Sequence, residues 1–273
     1  MQAASRESYR IAADRLDAYV RGAEPSAVAA TADDLLSVAD LLRREPRLRR
    51  ALSDPARSGG DRSGLLAGIL GGKVGADALD LLTTLAAGRW SAPSELLDGA
   101  ERLGVEALLA AADKAGDLGE VEDELFRFGQ VVAGQSALSN ALSDPVAPVA
   151  RRAELARELL AGRARPVTVR LVEAALGGFG GRSFTGALTR LVELAADRQD
   201  RQVAYVTVAA PLGDEEERRL GARLSEMYGR EVSVKQTVKP EVLGGVSVRV
   251  GSDLYDGTVL RRLNETRNAL AKS

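Results

Sequence analysis

The chain has no cysteine and no histidine among its 273 residues. Without cysteine there is no disulfide and no thiolate nucleophile. Without histidine there is no imidazole general base, and the two absences together remove almost every zinc or haem ligand set. Aromatic residues make up only 4%, a shortage that suits closely packed helices better than a β-sandwich. Charge of neither sign dominates: 37 basic against 39 acidic residues leave a net charge of -2, so no general field draws the chain onto nucleic acid or an anionic membrane. No apolar run reaches about 18 residues and no charged-then-apolar start is present, so neither a membrane span nor a signal peptide is expected. A soluble cytoplasmic chain is the default these absences leave.

What is present is alanine, leucine and glycine at helical spacing. Ser5 to Arg21 predicts a helix with Tyr9, Ala12, Ala13, Leu16 and Tyr19 on one side, stopped by Gly22 and Pro25. Thr31 to Arg50 predicts a second, with Leu35, Val38, Leu41 and Leu42 as its apolar face and Ala51 to Pro55 ending it. Residues 31–55 then align without a gap with residues 121–145. Eight of the twenty-five positions are identical, including Asp33 with Asp123, Leu35 with Leu125 and Ala51 to Pro55 with Ala141 to Pro145, more than helix composition alone should yield. The flanks agree, since Ala12-Ala13-Asp14-Arg15 resembles Ala111-Ala112-Asp113-Lys114 and Gly88-Arg89 resembles Gly181-Arg182. Two copies of one helical domain are inferred, residues 1–104 and 105–200. Further helices are predicted at Arg62 to Leu70, Ala76 to Ala87 and Ala92 to Leu103, then at Val149 to Ala161, Pro166 to Leu176 and Phe184 to Arg198.

From Arg201 the period changes from helical to alternating. Val203 to Val208 predicts a buried strand. Asp214 with Glu217 predicts a capped helix whose Leu220, Leu224 and Met227 face a sheet, stopped by Gly229. Val232, Val234 and Val238, then Val246, Val248 and Val250, predict two strands separated by Gly244-Gly245. Gly251 and Gly257 close the next two turns around a short Leu254-Tyr255 segment, and Val259 to Leu270 predicts a last helix. The expected fold is mainly α: two tandem six-helix-type bundles, then a small α+β domain over 201–273 in the order strand, helix, strand, strand, helix.

Motifs that could carry chemistry fail on their details. Gly68 to Val74 brushes against a phosphate loop, but Ala67 stands where the first glycine belongs, Val74 cannot hold magnesium, and no strand precedes it. Gly177 to Gly181 reads as a loop between helices. The basic run Arg43 to Arg50 suits the negative pole of a helix end and has no interleaved aromatics for nucleic acid. The carboxylate pairs lie in helix first turns, where the dipole explains them. No catalytic, cofactor-binding or metal-ligating residue is assigned.

The stretch Val238 to Gly251, with Lys239, the Gly244-Gly245 pair, Arg249 and Gly251, followed by Asp256-Gly257-Thr258, resembles the C-terminal signature of the ATP synthase delta subunit family, which includes the mitochondrial oligomycin-sensitivity-conferring protein. The resemblance makes Gly244, Gly245, Gly251, Asp256 and Gly257 a structural signature. Members generally carry one helical domain, so two copies depart from the common pattern; a longer form of this kind is expected of actinobacterial members. The resemblance implies a peripheral-stalk component without catalysis of its own, tying the F1 α3β3 head to a b-type stalk subunit at the cytoplasmic face of the bacterial membrane, with membrane association only through the complex. It also implies that the N-terminal helix of an F1 α subunit lies between the first and fifth helices of the helical domain. The matching positions are Tyr9, Ala12, Leu79 and Leu82 in the first copy and Leu108, Ala111, Val169 and Val172 in the second. Both copies are expected to engage the head. A helical adaptor unconnected with the synthase is the alternative.

Overall fold

The computed structural model describes residues 1–242, 244–259 and 261. They fall into two compact units, the first spanning Met1–Leu191 and the second beginning at Val192.

The first unit is helical throughout. Its helices are α1 (Ala3–Gly22), α2 (Pro25–Arg44), α3 (Pro46–Leu52), α4 (Gly59–Leu70), α5 (Ala76–Ala87), α6 (Pro93–Lys114), α7 (Leu118–Gly134), α8 (Ser136–Ser143), α9 (Val149–Leu160) and α10 (Pro166–Leu176), with α11 (Phe184–Arg198) beginning in this unit and ending in the next. Pro25 opens α2 at a first-turn position instead of merely ending α1, because a missing N–H costs nothing there. The single helix expected over 31–50 is two. Pro46 has no N–H to donate and pushes Glu45 out of the helical region, to φ -114 and ψ 79. The same break occurs at Gln135, φ -128 and ψ 99, where no proline follows, so it belongs to the repeated pattern and not to proline alone.

One set of packing partners occurs twice. α1 meets α5, α2 meets α3 and α5, α3 meets α4, and α4 meets α5; likewise α6 meets α10, α7 meets α8 and α10, α8 meets α9, and α9 meets α10. The helix expected to stop at Leu103 runs on to Lys114. A boundary at 104/105 therefore falls inside α6, which packs against α1 and α2 as well as α7 and α10. Its small residues allow this. A Cβ on Gly104 would stand 2.7 Å from Leu36 Cδ2 and 3.3 Å from the Leu36 backbone nitrogen, so α2 and α6 touch almost backbone to backbone.

The second unit holds a four-stranded sheet of order β2-β1-β3-β4, with β1 (Arg201–Val208) parallel to β2 (Glu231–Val238) through α12 (Asp214–Tyr228), and β3 (Val246–Val250) and β4 (Asp253–Asp256) added antiparallel. The Leu254-Tyr255 segment is the edge strand β4. Ala204, Val206, Val208, Val232, Val248 and Val250 bury one sheet face with Leu224, and Leu220 and Tyr228 pack against them. Met227, expected to face the sheet, is 63% exposed: the helical stripe runs 220, 224, 228 and leaves it on the outside. The cap of α12 also lies one residue earlier than expected. Gly213 N–H donates to Glu216 Oε2 at 3.0 Å, and Asp214 is the first helical residue. The last predicted helix falls outside the described residues except at Val259 and Arg261.

Candidate interaction site

The first and fifth helices of the two halves are α1 with α5 and α6 with α10. Tyr9, Ala12 and Leu82 are buried, as are Leu108, Ala111 and Val172, while Leu79 and Val169 are half-buried. Six of the eight expected contact residues therefore lie under the two seams. Tyr9, for example, is turned toward α6, where the Arg102 guanidinium stands 4.6 Å above its ring.

The surface over the α1/α5 seam is made by residues that the alignment of motifs did not single out. At one end Ser8 Oγ donates to Arg89 O at 2.8 Å, just beyond α5. At the other Arg15 grips Asp80 with two bonds, 2.5 and 2.8 Å, with both side chains about half in solvent. Ile11 lies between these two crossings, one turn before Arg15, and is 49% exposed. The signal was present in the sequence, because Ile11 is a large apolar residue off the buried stripe of Ser5, Ser8, Tyr9, Ala12 and Leu16.

The α6/α10 seam is built differently. From Leu103 to Ala112 only Glu106 escapes burial. α2 lies along α6, and Asp33 on α2 pairs with Arg170 on α10 at 2.5 Å. Arg43, farther along α2, donates to Glu101 at 2.8 Å, and the other Glu101 oxygen accepts Gly180 N–H at 2.9 Å. Burial pushes the Glu101 carboxyl above its ordinary range, while the Gly180 N–H and Arg43 pull the other way. Between α2, α9 and α10 a cavity of about 570 Å³ remains, floored by Glu101 and Phe179.

The basic run resolves into helix-end chemistry. Arg49 donates to the Leu42 and Arg43 carbonyls, and Arg43 and Arg44 pair with Asp40. Lys73 sits in the turn after α4, its N–H bound to Leu70 O. Among the described residues no group of acidic side chains could hold a metal ion.

In the second unit the glycine signature is a backbone clasp. Gly244, Gly245 and Gly251 have φ of 126, 74 and 55, and a Cβ on Gly245 would stand 2.4 Å from Gly257 O, so no other residue fits there. Gly257 N–H donates to Val246 O at 2.9 Å and Val259 N–H to Gly244 O at 3.0 Å. Asp256 accepts from the Thr258 N–H at 3.0 Å and hydroxyl at 2.8 Å, bonds that hold its carboxyl below the usual range. This element was legible in the sequence because only glycine suits a backbone that takes positive φ or touches another backbone.

The fold defines a helical scaffold followed in the chain by a small mixed-sheet unit, with Ile11 among the exposed apolar residues of its helices. Residues 105–270, more than half of the chain, match the family described as ATP synthase delta (OSCP) subunit. The chain is 89% identical over all 273 residues to the "ATP synthase subunit delta" of Salinispora arenicola, covering 100% of both chains. It is 45% identical over 271 residues to the protein of that name from Streptomyces griseus subsp. griseus, covering 99% of this chain and 100% of the relative. A chain of the Toxoplasma gondii mitochondrial ATP synthase hexamer aligns with 61% of this chain and 94% of its own at 18% identity, with a TM-score of 0.37, too low to bear on the fold. The chain belongs to the ATP synthase delta (OSCP) subunit family.

Proposed function

We propose that the chain is a stator part of an F-type ATP synthase, tying the F1 head to a b-type peripheral-stalk subunit so that rotor torque drives synthesis instead of spinning the head. Its own role is mechanical and non-catalytic. It meets the membrane at its cytoplasmic face through the complex, and its contacts include the N-terminal helix of an F1 α subunit. The observation that carries this reading is the 89% identity to a full-length relative of that name; a helical adaptor unconnected with the synthase would have no reason to keep such identity from end to end.

Residues 1–104 and 105–200 are, on this reading, two copies of one helical domain fused through α6, and 201–273 is the family's C-terminal domain. The family match beginning at residue 105 and the recurrence of packing partners support it. A pull-down of the tagged full chain from membranes tests the function. The α, β and b-type subunits are expected together, and a preparation lacking all three would overturn it. The purified chain alone is expected to hydrolyse no ATP.

A further inference from the structure

The geometry points to a ligand site in the cavity between α2, α9 and α10: it takes a small amphipathic monocarboxylate, with the aliphatic body on the apolar floor and the carboxylate among the arginines of the mouth. The inference goes beyond the stator reading and stands without it, because it concerns the helical unit alone.

The walls come from three helices. α9 packs on α10 and α10 on α6, while α2 runs along α6 from the other side, so a trench remains between α2 and α9. Its volume of about 570 Å³ falls within the roughly 300–1,000 Å³ of small-molecule sites. Along α9 it is lined from Val149 to Arg157, a run of about 12 Å. Small side chains keep it open: Ser37 and Ala39 on α2, Ala150 and Ala153 on α9, and Ala174 and Gly177 on α10. A Cβ on Gly177 would stand 3.2 Å from both Arg43 Nη atoms, so glycine there lets the guanidinium reach the floor beside the buried Phe179.

The polar groups of the lining are unevenly matched. Arg43, Arg44, Arg157 and Arg170 face three carboxylates, those of Asp40, Glu101 and Glu173. Asp40 is shared by Arg43 and Arg44 at 3.1 and 2.7 Å, and Glu173 by Arg157 and Arg170 at 2.7 and 3.7 Å. Glu101 is already held by Arg43 and the Gly180 N–H, and Asp33 takes Arg170 from outside the lining. A guanidinium carries five donors, and the side chains of Arg44, Arg157 and Arg170 are 68, 54 and 42% exposed, so shared carboxylates leave donors to solvent. A ligand carboxylate supplies the acceptor they lack, in the paired geometry that guanidinium favours. A cationic head would meet like charge, and a polyphosphate would be set against three carboxylates.

The first half of the helical unit does not repeat this mouth. Ninety residues earlier, Ala67 and Asp80 stand where Arg157 and Arg170 do, and Thr83 and Thr84 replace Glu173 and Ala174. Asp80 is engaged instead by Arg15 of α1. The arginines therefore belong to the place where α2 supplies a facing wall. Loose packing would leave a void with any lining; this one is apolar at its floor and cationic at its rim.

The test is calorimetric titration of the full-length chain with sodium octanoate below its micelle concentration, beside octanol and octyltrimethylammonium, which keep the aliphatic body and change the head. Saturable binding of one octanoate per chain is expected. Octanol should bind about tenfold more weakly or worse, the loss of one charge-assisted contact, and octyltrimethylammonium should not bind. Ala150→Phe and Ser37→Phe, at exposed positions of the two walls, fill the trench from its mouth and are expected to weaken octanoate about tenfold or more. Arg157→Gln with Arg170→Gln should weaken octanoate about tenfold and leave octanol within about twofold. Octanol binding as tightly as octanoate would overturn the inference, because the trench would then be an apolar void and nothing more. So would binding of the cation, absence of saturable binding, or binding that both filling variants leave unchanged. None of these outcomes bears on co-purification with synthase subunits, so this inference and the stator reading fail separately.

Discussion

α1 and α6 open the two recurring sets of packing partners, and Ala12-Ala13-Asp14-Arg15 in the middle of α1 resembles Ala111-Ala112-Asp113-Lys114 at the end of α6, yet one has a solvent face and the other has almost none. The difference lies in what their neighbours carry. α1 packs chiefly against α5 and α6, whereas α6 packs against α1, α2, α3 and α5 as well as α7 and α10, so it has partners all round. Glycine and alanine along α6 let those partners approach; a helix rich in large side chains would have forced them apart.

The halves differ as clearly at α4/α5 and α9/α10. Gly59 brings the start of α4 against the end of α5, where a Cβ would stand 2.7 Å from Ala87 O. There the buried Arg62 donates to five carbonyls, those of Asp54, Arg57, Ala86, Ala87 and Gly88. In the second half Val149 takes the place of Gly59, and Arg152, the counterpart of Arg62, reaches only Leu142 O, its Nε left without a partner. With the weaker tie, α9 and α10 meet along less of their length than α4 and α5 do.

The largest expected effect tests that contrast. Arg62→Met leaves several buried carbonyls unsatisfied and is expected to cost about 3 kcal/mol in urea unfolding. Arg152→Met should cost less than about 1 kcal/mol, since it gives up one bond; equal losses would show that the two ties do the same job. Next comes Gly104→Ala, which overpacks the α2/α6 contact by about 1–3 kcal/mol. Its control is Gly68→Ala in α4, where a Cβ meets nothing within 4 Å and the better helix former should stabilise by about 0.5–1 kcal/mol.

A smaller effect is read as a slope against pH. The folded Glu101 pKa is raised above its ordinary value of 4.5, so the folded state binds its proton more tightly than the unfolded chain does. That contribution is present below about 4.5 and is lost as pH rises through the folded value. Glu101→Gln should flatten stability against pH in that window, and an unchanged slope would mean that ionisation of Glu101 is not penalised. Smallest of all, Arg15→Ala and Arg170→Ala remove half-exposed ion pairs and should leave Tm unmoved; a clear loss at Arg170 alone would mark the cover of the second seam as stabilising beyond its charges.

Much of this architecture was legible in the sequence. The bounds 76–87, 166–176 and 184–198 are observed as the periodicity predicts, because apolar spacing and flanking glycine or proline act within a few residues. The glycine clasp was legible for the same reason. Met227 was misplaced by one position, since a helical stripe read over fifteen residues tolerates such an error until packing selects the face. Tyr9 and Leu82 were expected on a groove wall, but apolar spacing marks only that a residue is buried; it does not say whether the chain or a partner buries it.

By itself, then, the sequence determined the helices, the repeat of their order, the change to a valine-patterned sheet and the backbone turns that only glycine can make, all consequences of local sterics and spacing. Tertiary structure alone decided that α6 packs against helices both before and after it in the chain, that Ile11 and not Tyr9 meets solvent, and that α1 keeps a solvent face where α6 has almost none. Those outcomes depend on which surfaces residues far apart in the chain bring together, and a local pattern holds no record of its distant neighbours.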